Sequence, residues 1–171
     1  MSDPLTLTVI GIVVLLALSA FFSGSETALT GASRPRMHQL ESEGNRRAGT
    51  VNLLHARQER LIGGILIGNN IVNILASALA TSMMITLFGD AGVVYATIAM
   101  TTLVVIFSEV LPKTYAIRHA DDVAITVARP IRFIVIALSP LSRAIEAVVG
   151  VLLRLMGEKI SSEGDAKREQ E

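Results

Sequence analysis

Cysteine and tryptophan are both absent from the 171 residues. Without cysteine there is neither a disulfide framework nor a thiolate metal site, and the redox compartment stays open. Charge is scarce too: Asp, Glu, Lys and Arg supply 18% of residues against 51% hydrophobic. An ordinary soluble domain carries about a quarter charged residues, so this chain has more apolar surface than one small core hides. No His-Glu-x-x-His or Gly-x-Ser-x-Gly motif occurs, and no paired aspartates lie within an apolar run, so an enzyme working inside the membrane has little support.

The net charge of zero conceals the most informative absence, which is local. No Lys or Arg lies in residues 1–33 or 61–112, whereas six fall between Arg34 and Arg60 and nine from Lys113 onward. Three uncharged stretches occupy the gaps: Leu5 to Gly24, Leu61 to Gly89 and Ala91 to Ser108. Each reaches or approaches the ~20 residues a helix needs to cross ~30 Å of hydrocarbon. Backbone amides in lipid must be satisfied within the segment, so the crossings are expected as helices over about 5–31, 61–88 and 91–116. The first has no basic leader and no Ala-x-Ala cleavage site, and reads as a retained helix. The positive-inside rule places both basic regions in the cytoplasm, with the N-terminus and the Gly89-Asp90-Ala91-Gly92 turn outside. The expectation is a multi-pass protein of the plasma or inner membrane. Its basic residues serve the membrane interface, and no nucleic-acid partner is expected.

Between the first two crossings, Ser33-Arg34-Pro35 resembles a helix start, with Ser33 as candidate N-cap. Met37 and Leu40 share a face, Gly44-Asn45 breaks the segment, and Val51 and Leu54 begin a second amphipathic turn. Helices lying on the inner surface are expected over about 34–56. After the third crossing, Asp121 is a candidate cap, and residues 123–138 are apolar enough to suggest a fourth crossing. Arg129, Pro130 and Arg132 argue against it. A break is expected at Ser139-Pro140, followed by an amphipathic helix with Ile145, Val148, Val149 and Leu152 on one face. The whole of 121–156 is expected to lie at the interface, with 158–171 as a polar linker or tail.

Polar groups enter each crossing. Ser19, Ser23 and Thr27 repeat at i, i+4. The second crossing carries Gly63, Gly64 and Gly68, then Asn69, Asn70, Asn73 and Ser77, and the third ends Ser108-Glu109-Val110-Leu111-Pro112-Lys113. Ser23 precedes Arg34 by 11 residues, Asn70 follows Arg60 by 10 and Glu109 precedes Arg118 by 9. At ~1.5 Å per residue these offsets are roughly 14 to 17 Å, about half the hydrocarbon thickness, so the three sets share one layer. Hydroxyls, amide carbonyls and a carboxylate, without imidazole or sulfur, suit a hard cation. Pro112 cannot donate to the carbonyl of Ser108, and Gly68 lets its helix loosen beside Asn70. The plainer readings are that serines bond back to their own helix, asparagines join helices, Glu109 pairs with Lys113 at i+4, and Glu26 caps or snorkels at the interface. His38, His55 and His119 stand alone in surface segments and read as solvated.

The runs Ala20-Phe21-Phe22-Ser23-Gly24-Ser25-Glu26-Thr27-Ala28, Ile67-Gly68-Asn69-Asn70-Ile71-Val72-Asn73 and Phe107-Ser108-Glu109-Val110-Leu111-Pro112-Lys113 resemble the transmembrane domain of the CorC and cyclin M family of magnesium transporters. The resemblance covers roughly residues 5–157 and rests on three ordered motifs. It implies an all-α integral membrane domain over 1–157, homodimeric, with three transmembrane helices per subunit and a juxtamembrane belt. It also implies a magnesium site open to the cytoplasm, with ligands Ser19, Ser23, Asn70, the Gly68 carbonyl and Glu109. Ser25, Glu26, Asn69, Asn73, Ser108, Pro112 and Lys113 support them. Family members carry a cytoplasmic CBS pair that binds ATP, for which these residues leave no room. Magnesium export, exchanged for sodium, is the implied activity. A membrane anchor or sensor, its polar layer serving only helix packing, is the competing reading.

Overall fold

The computed structural model describes residues 4–155, which are helical nearly throughout and contain no strand. The expected tail over 158–171 lies outside the described residues. Helix α1 spans Pro4–Gly31, 28 residues and therefore ~42 Å long, and α4 spans Gln58–Phe88. A 3-10 turn over Gly89–Ala91 reverses the chain. Two glycines make that reversal feasible. Gly89 has φ +61°, and a Cβ on Gly92 would sit 2.3 Å from the Met84 carbonyl. The return arm consists of α5 (Gly92–Leu103), a π-helical segment (Val104–Val110) and α6 (Leu111–Arg118).

Three continuous helical stretches are long and apolar enough to cross a membrane: Pro4–Gly31, Gln58–Arg118 and Ala120–Leu152. The second doubles back at Gly89 and supplies two arms, so the three expected crossings are α1, α4 and the return arm. The third stretch lies in α7 (Ala120–Leu155), which runs unbroken for 36 residues through Pro130 and Pro140. The expected break at Ser139-Pro140 does not occur. A proline removes one helical hydrogen bond, whereas leaving the helix in apolar surroundings would strand several backbone groups, so continuity is the smaller loss. Length and apolarity qualify α7 as a crossing, and exposed Arg129, Arg132 and Arg143 along it weigh the other way.

Two short helices follow α1, α2 (Arg34–Ser42) and α3 (Arg46–His55), parted by Gly44 at φ +94°. The side chain of Asn45 caps α3, accepting from the amides of Arg47 and Ala48. Ser33 stands at the N-cap of α2, but its hydroxyl makes no cap bond. Its amide instead donates to Asp121 Oδ1 at 2.8 Å, and Asp121 also pairs with Arg36 at 3.3 Å. Asp121 thus ties the start of α2 to the first turn of α7. His55, expected to be solvated, is half-buried with Nε2 against the Leu29 carbonyl of α1. His38 and His119 are exposed.

The packing has two centres. At the basic end, Leu29, Met37, Val51, Leu61, Ile65 and Ile131 are all but fully buried and draw α1, α2, α3, α4 and α7 into one cluster. Withdrawing a side chain such as Met37 from water is worth about 1.5 to 3 kcal/mol, enough to hold α2 against the bundle. At the Gly89 end, Ile12, Ala76, Ala80 and Met100 pack α1, α4 and α5, with alanines permitting close approach. Helix α1 touches α4, the π segment, α6 and α7, so it is the central post of the fold.

Candidate functional site in the helix bundle

The polar residues of α1 face inward because the i, i+4 repeat places them on its packed side. Ser19 and Ser23 are buried, and so is Ser25, two residues on and outside that repeat. Ser19 Oγ donates to Asn69 Oδ1 of α4 at 2.8 Å. Ser23 Oγ and Ser25 Oγ have no hydrogen-bond partner, nor has the buried Oδ1 of Asn73, one turn beyond Asn69. Thr27 hydroxyl bonds back to the Ser23 carbonyl at 3.1 Å.

Glycines set how closely the helices approach here. A Cβ on Gly68 would lie 2.7 Å from Cζ of Phe22, so the phenyl ring of α1 rests directly on the α4 backbone. A Cβ on Gly24 would lie 3.4 Å from Cβ of Pro112, which places the proline of α6 against α1.

The third helix contributes through its π segment. The amide of Leu111 donates to the Ile106 carbonyl five residues back. Phe107 O therefore loses its usual donor at Leu111, and the next residue, Pro112, has no N–H to offer. Pro112 likewise cannot donate to the Ser108 carbonyl four residues before it, so two successive carbonyls, Phe107 and Ser108, lose their usual α-helical donors. Ser108 is fully buried and its hydroxyl donates to the Leu16 carbonyl of α1 at 3.0 Å. Such π-bulges are common at functional sites because they loosen the backbone and turn side chains out of register.

Asn69 of α4 and Ser108 of the π segment are thereby both joined to α1, and the unpaired Ser23 and Asn73 lie one turn from the Ser19–Asn69 bond in opposite directions, Ser23 toward the basic end and Asn73 toward the Gly89 end. Asn70 is exposed on α4. Glu109 Oε2 lies 3.7 Å from Lys113 Nζ, both side chains 42% exposed, so the i+4 pair forms. Glu26 is half-buried and outside any ion pair among the described residues. No group of three or more His, Cys, Asp or Glu side chains gathers among the described residues. Any cation held here would rely on hydroxyl and carbonyl oxygens with one carboxylate, a donor set that suits a hard ion.

A polar stripe extends the layer. Asn69, Asn73, Ser77 and Thr81 recur every fourth residue along α4, and the last three line a cavity of about 410 Å³ faced by Thr97 and Thr101 of α5. The hydroxyls of Thr81 and Thr97 donate back to the carbonyls of Ser77 and Val93 at 2.8 Å. Their hydrogens are thus engaged and their lone pairs remain, which makes the wall a better host for cations than for anions. The signal for this stripe was present as an i, i+4 spacing, but which helix would face it was not.

Comparison with known proteins fits this architecture. A family model described as the cyclin M transmembrane N-terminal domain matches residues 10–171. The UPF0053 inner membrane protein YfjD of Escherichia coli (strain K12) is 44% identical over 142 residues, covering 83% of this chain and 33% of its own length. A UPF0053 protein of Haemophilus influenzae is 37% identical over 169 residues, covering 95% of this chain and 40% of its own. A chloroplastic DUF21 domain-containing protein of Arabidopsis thaliana is 37% identical over 150 residues, 88% of this chain and 23% of that protein. The chain therefore spans two-fifths or less of the length of these relatives. With an all-helical bundle, crossings of the expected lengths and a family match over nearly the whole sequence, this chain belongs to the cyclin M transmembrane-domain family.

Proposed function

We propose that this chain carries magnesium across the membrane, through a site built from α1, α4 and the π segment. The observation that carries the reading is the state of Ser23 Oγ, a buried hydroxyl without a hydrogen-bond partner one turn along α1 from the Ser19–Asn69 bond. A layer that served packing alone would pair its buried polar atoms, because each unpaired one costs about 1 to 3 kcal/mol. An unpaired buried hydroxyl, with a carbonyl and a carboxylate available on the π segment, is the kind of oxygen supply a dehydrated cation uses.

Magnesium sheds water reluctantly, and protein oxygens at ~2.1 Å must replace its shell. Ser19, Ser23, Asn70, the Gly68 carbonyl and Glu109 are the proposed ligands. Glu109 supplies the charge by turning from Lys113 toward the bundle interior. Asn69 orients Ser19, and Ser25, Glu26, Asn73 and Ser108 shape the surrounding polar layer. The loosened backbone at Val104–Val110 is the element whose rearrangement would expose the site alternately to the two sides. The proposed cycle is export from the cytoplasm in exchange for sodium, by a homodimer with its N-terminus outside. ATP-binding CBS domains of a longer chain would regulate it.

Proteoliposomes loaded with a magnesium-sensitive dye test this. The chain is expected to pass magnesium, and Glu109→Ala to stop it while the purified variant remains folded. Equal flux through wild type and variant would overturn the assignment of Glu109. Absence of any saturable magnesium binding to the wild-type chain by calorimetry would favour the anchor reading instead.

A further inference from the structure

At the basic end, α4 and α7 cross closely: a Cβ on Gly64 would lie 3.1 Å from Cγ2 of Val135, so the glycine eases their approach. Beside that crossing lies a cavity of about 400 Å³ lined by α3, the start of α4 and α7. Its rim carries Arg57 and Arg60 from the start of α4 and Arg132 from α7. Its floor is apolar, formed by Leu54, Leu61 and Val135. Three arginines from two separate elements line one hollow. Among the described residues none of the three makes an ion pair, the neighbouring Glu59 included, since only Arg36 with Asp121 and Lys113 with Glu109 do so.

We propose that this groove binds an anionic phospholipid, its phosphate held by Arg57, Arg60 and Arg132 and its acyl chain laid along Leu53, Val135 and Ile136. Planar guanidinium forks suit phosphate oxygens, and three uncompensated positive charges favour a headgroup with net negative charge over a zwitterionic one. Position selects a lipid over a soluble phosphate. Arg60 immediately precedes the uncharged run that opens with Leu61, which is the level of the headgroups in a helix entering the bilayer. On α7, Phe133 and Ile136 flank the basic rim at 74% and 60% exposure, an arrangement that suits contact with acyl chains and not with water. Ser139, one turn beyond Val135, adds a hydroxyl to the same wall.

The test uses the purified chain in detergent and native mass spectrometry of lipid adducts, with phosphatidylglycerol and phosphatidylcholine offered in equal amounts. Wild type is expected to retain phosphatidylglycerol preferentially. The triple variant Arg57→Ala, Arg60→Ala, Arg132→Ala is expected to lose that retention by roughly a hundredfold. Arg47→Ala, an exposed residue on α3 away from the groove, is expected to leave it unchanged. Should the triple variant fail to fold, Arg132→Gln alone carries the same expectation with a smaller loss. Equal weakening by Arg47→Ala would reduce the effect to general surface charge and overturn the proposal. So would displacement of the lipid by inorganic phosphate at matching concentration, which would make the groove a soluble-anion site.

Discussion

Ser19 Oγ donates to Asn69 Oδ1 at 2.8 Å, a bond between residues 50 apart that joins the first crossing to the second in the middle of the bundle. Ser23, one turn along the same face, is equally buried and has no such partner. The two serines repeat at one spacing and share one chemistry, yet the first is tied into the packing and the second is free to serve a ligand.

That contrast sets a paired expectation. Ser19→Ala removes a bond across the helices and should lower stability by roughly 0.6 to 2 kcal/mol. Ser23→Ala removes an unpaired buried hydroxyl and should leave metal-free stability unchanged or slightly raised. Thermal melts of both variants without magnesium decide it. The difference vanishes if Ser23 is a packing residue.

Glu109→Gln should barely alter the metal-free melting temperature, because its pair with Lys113 is 3.7 Å long and both side chains are 42% exposed. Exposed pairs of this kind contribute about 0 to 1 kcal/mol. The same variant should abolish the rise in melting temperature produced by magnesium, which wild type gains through binding to the folded state. A retained magnesium-dependent shift would remove Glu109 from the ligand set.

Gly68→Ala should destabilise the bundle by about 1 to 3 kcal/mol, since the added methyl would stand 2.7 Å from the Phe22 ring. Phe22→Leu in the same chain should recover much of the loss, because the obstructing atoms are the far end of one side chain. Denaturation midpoints of the single and double variants read this coupling directly. If the loss is additive, the clash is not its cause.

Thr97→Val and Thr101→Val keep side-chain volume and remove oxygens from the cavity along α4 and α5. If that polar stripe conducts the ion, the double variant should slow magnesium flux several-fold, while calorimetric affinity at the Glu109 site stays near that of wild type. Unaltered flux would confine the route to the inner layer.

Much of the fold was legible because lipid leaves the backbone few choices. Uncharged runs from Leu5, Leu61 and Ala91 had to be helices, and Gly89 had to be a turn. The break at Gly44-Asn45 was equally legible, since a positive φ and an Asn cap leave local marks. The continuity of α7 was not. Pro140 carries a real local cost, and the weight against it is the number of backbone bonds that a break in apolar surroundings would strand. His55 was misread for a related reason, since its partner is the Leu29 carbonyl, 26 residues away.

In the candidate site the division follows the same line. Composition, charge asymmetry and spacing determined by themselves that this is a helical membrane domain, and they set the expectation that polar oxygens from three crossings share one depth and suit a hard cation. Tertiary structure alone decided which oxygens meet. It paired Ser19 with Asn69 and Ser108 with Leu16, left Ser23 and Asn73 unpaired, exposed Asn70, and added the Phe107 carbonyl to the one Pro112 leaves without a donor, through a π-helical register. Periodicity along one helix specifies a face, but the rotation of that face toward a neighbour depends on glycine contacts such as Gly68 on Phe22 and Gly24 on Pro112. Those contacts exist only once the helices have packed.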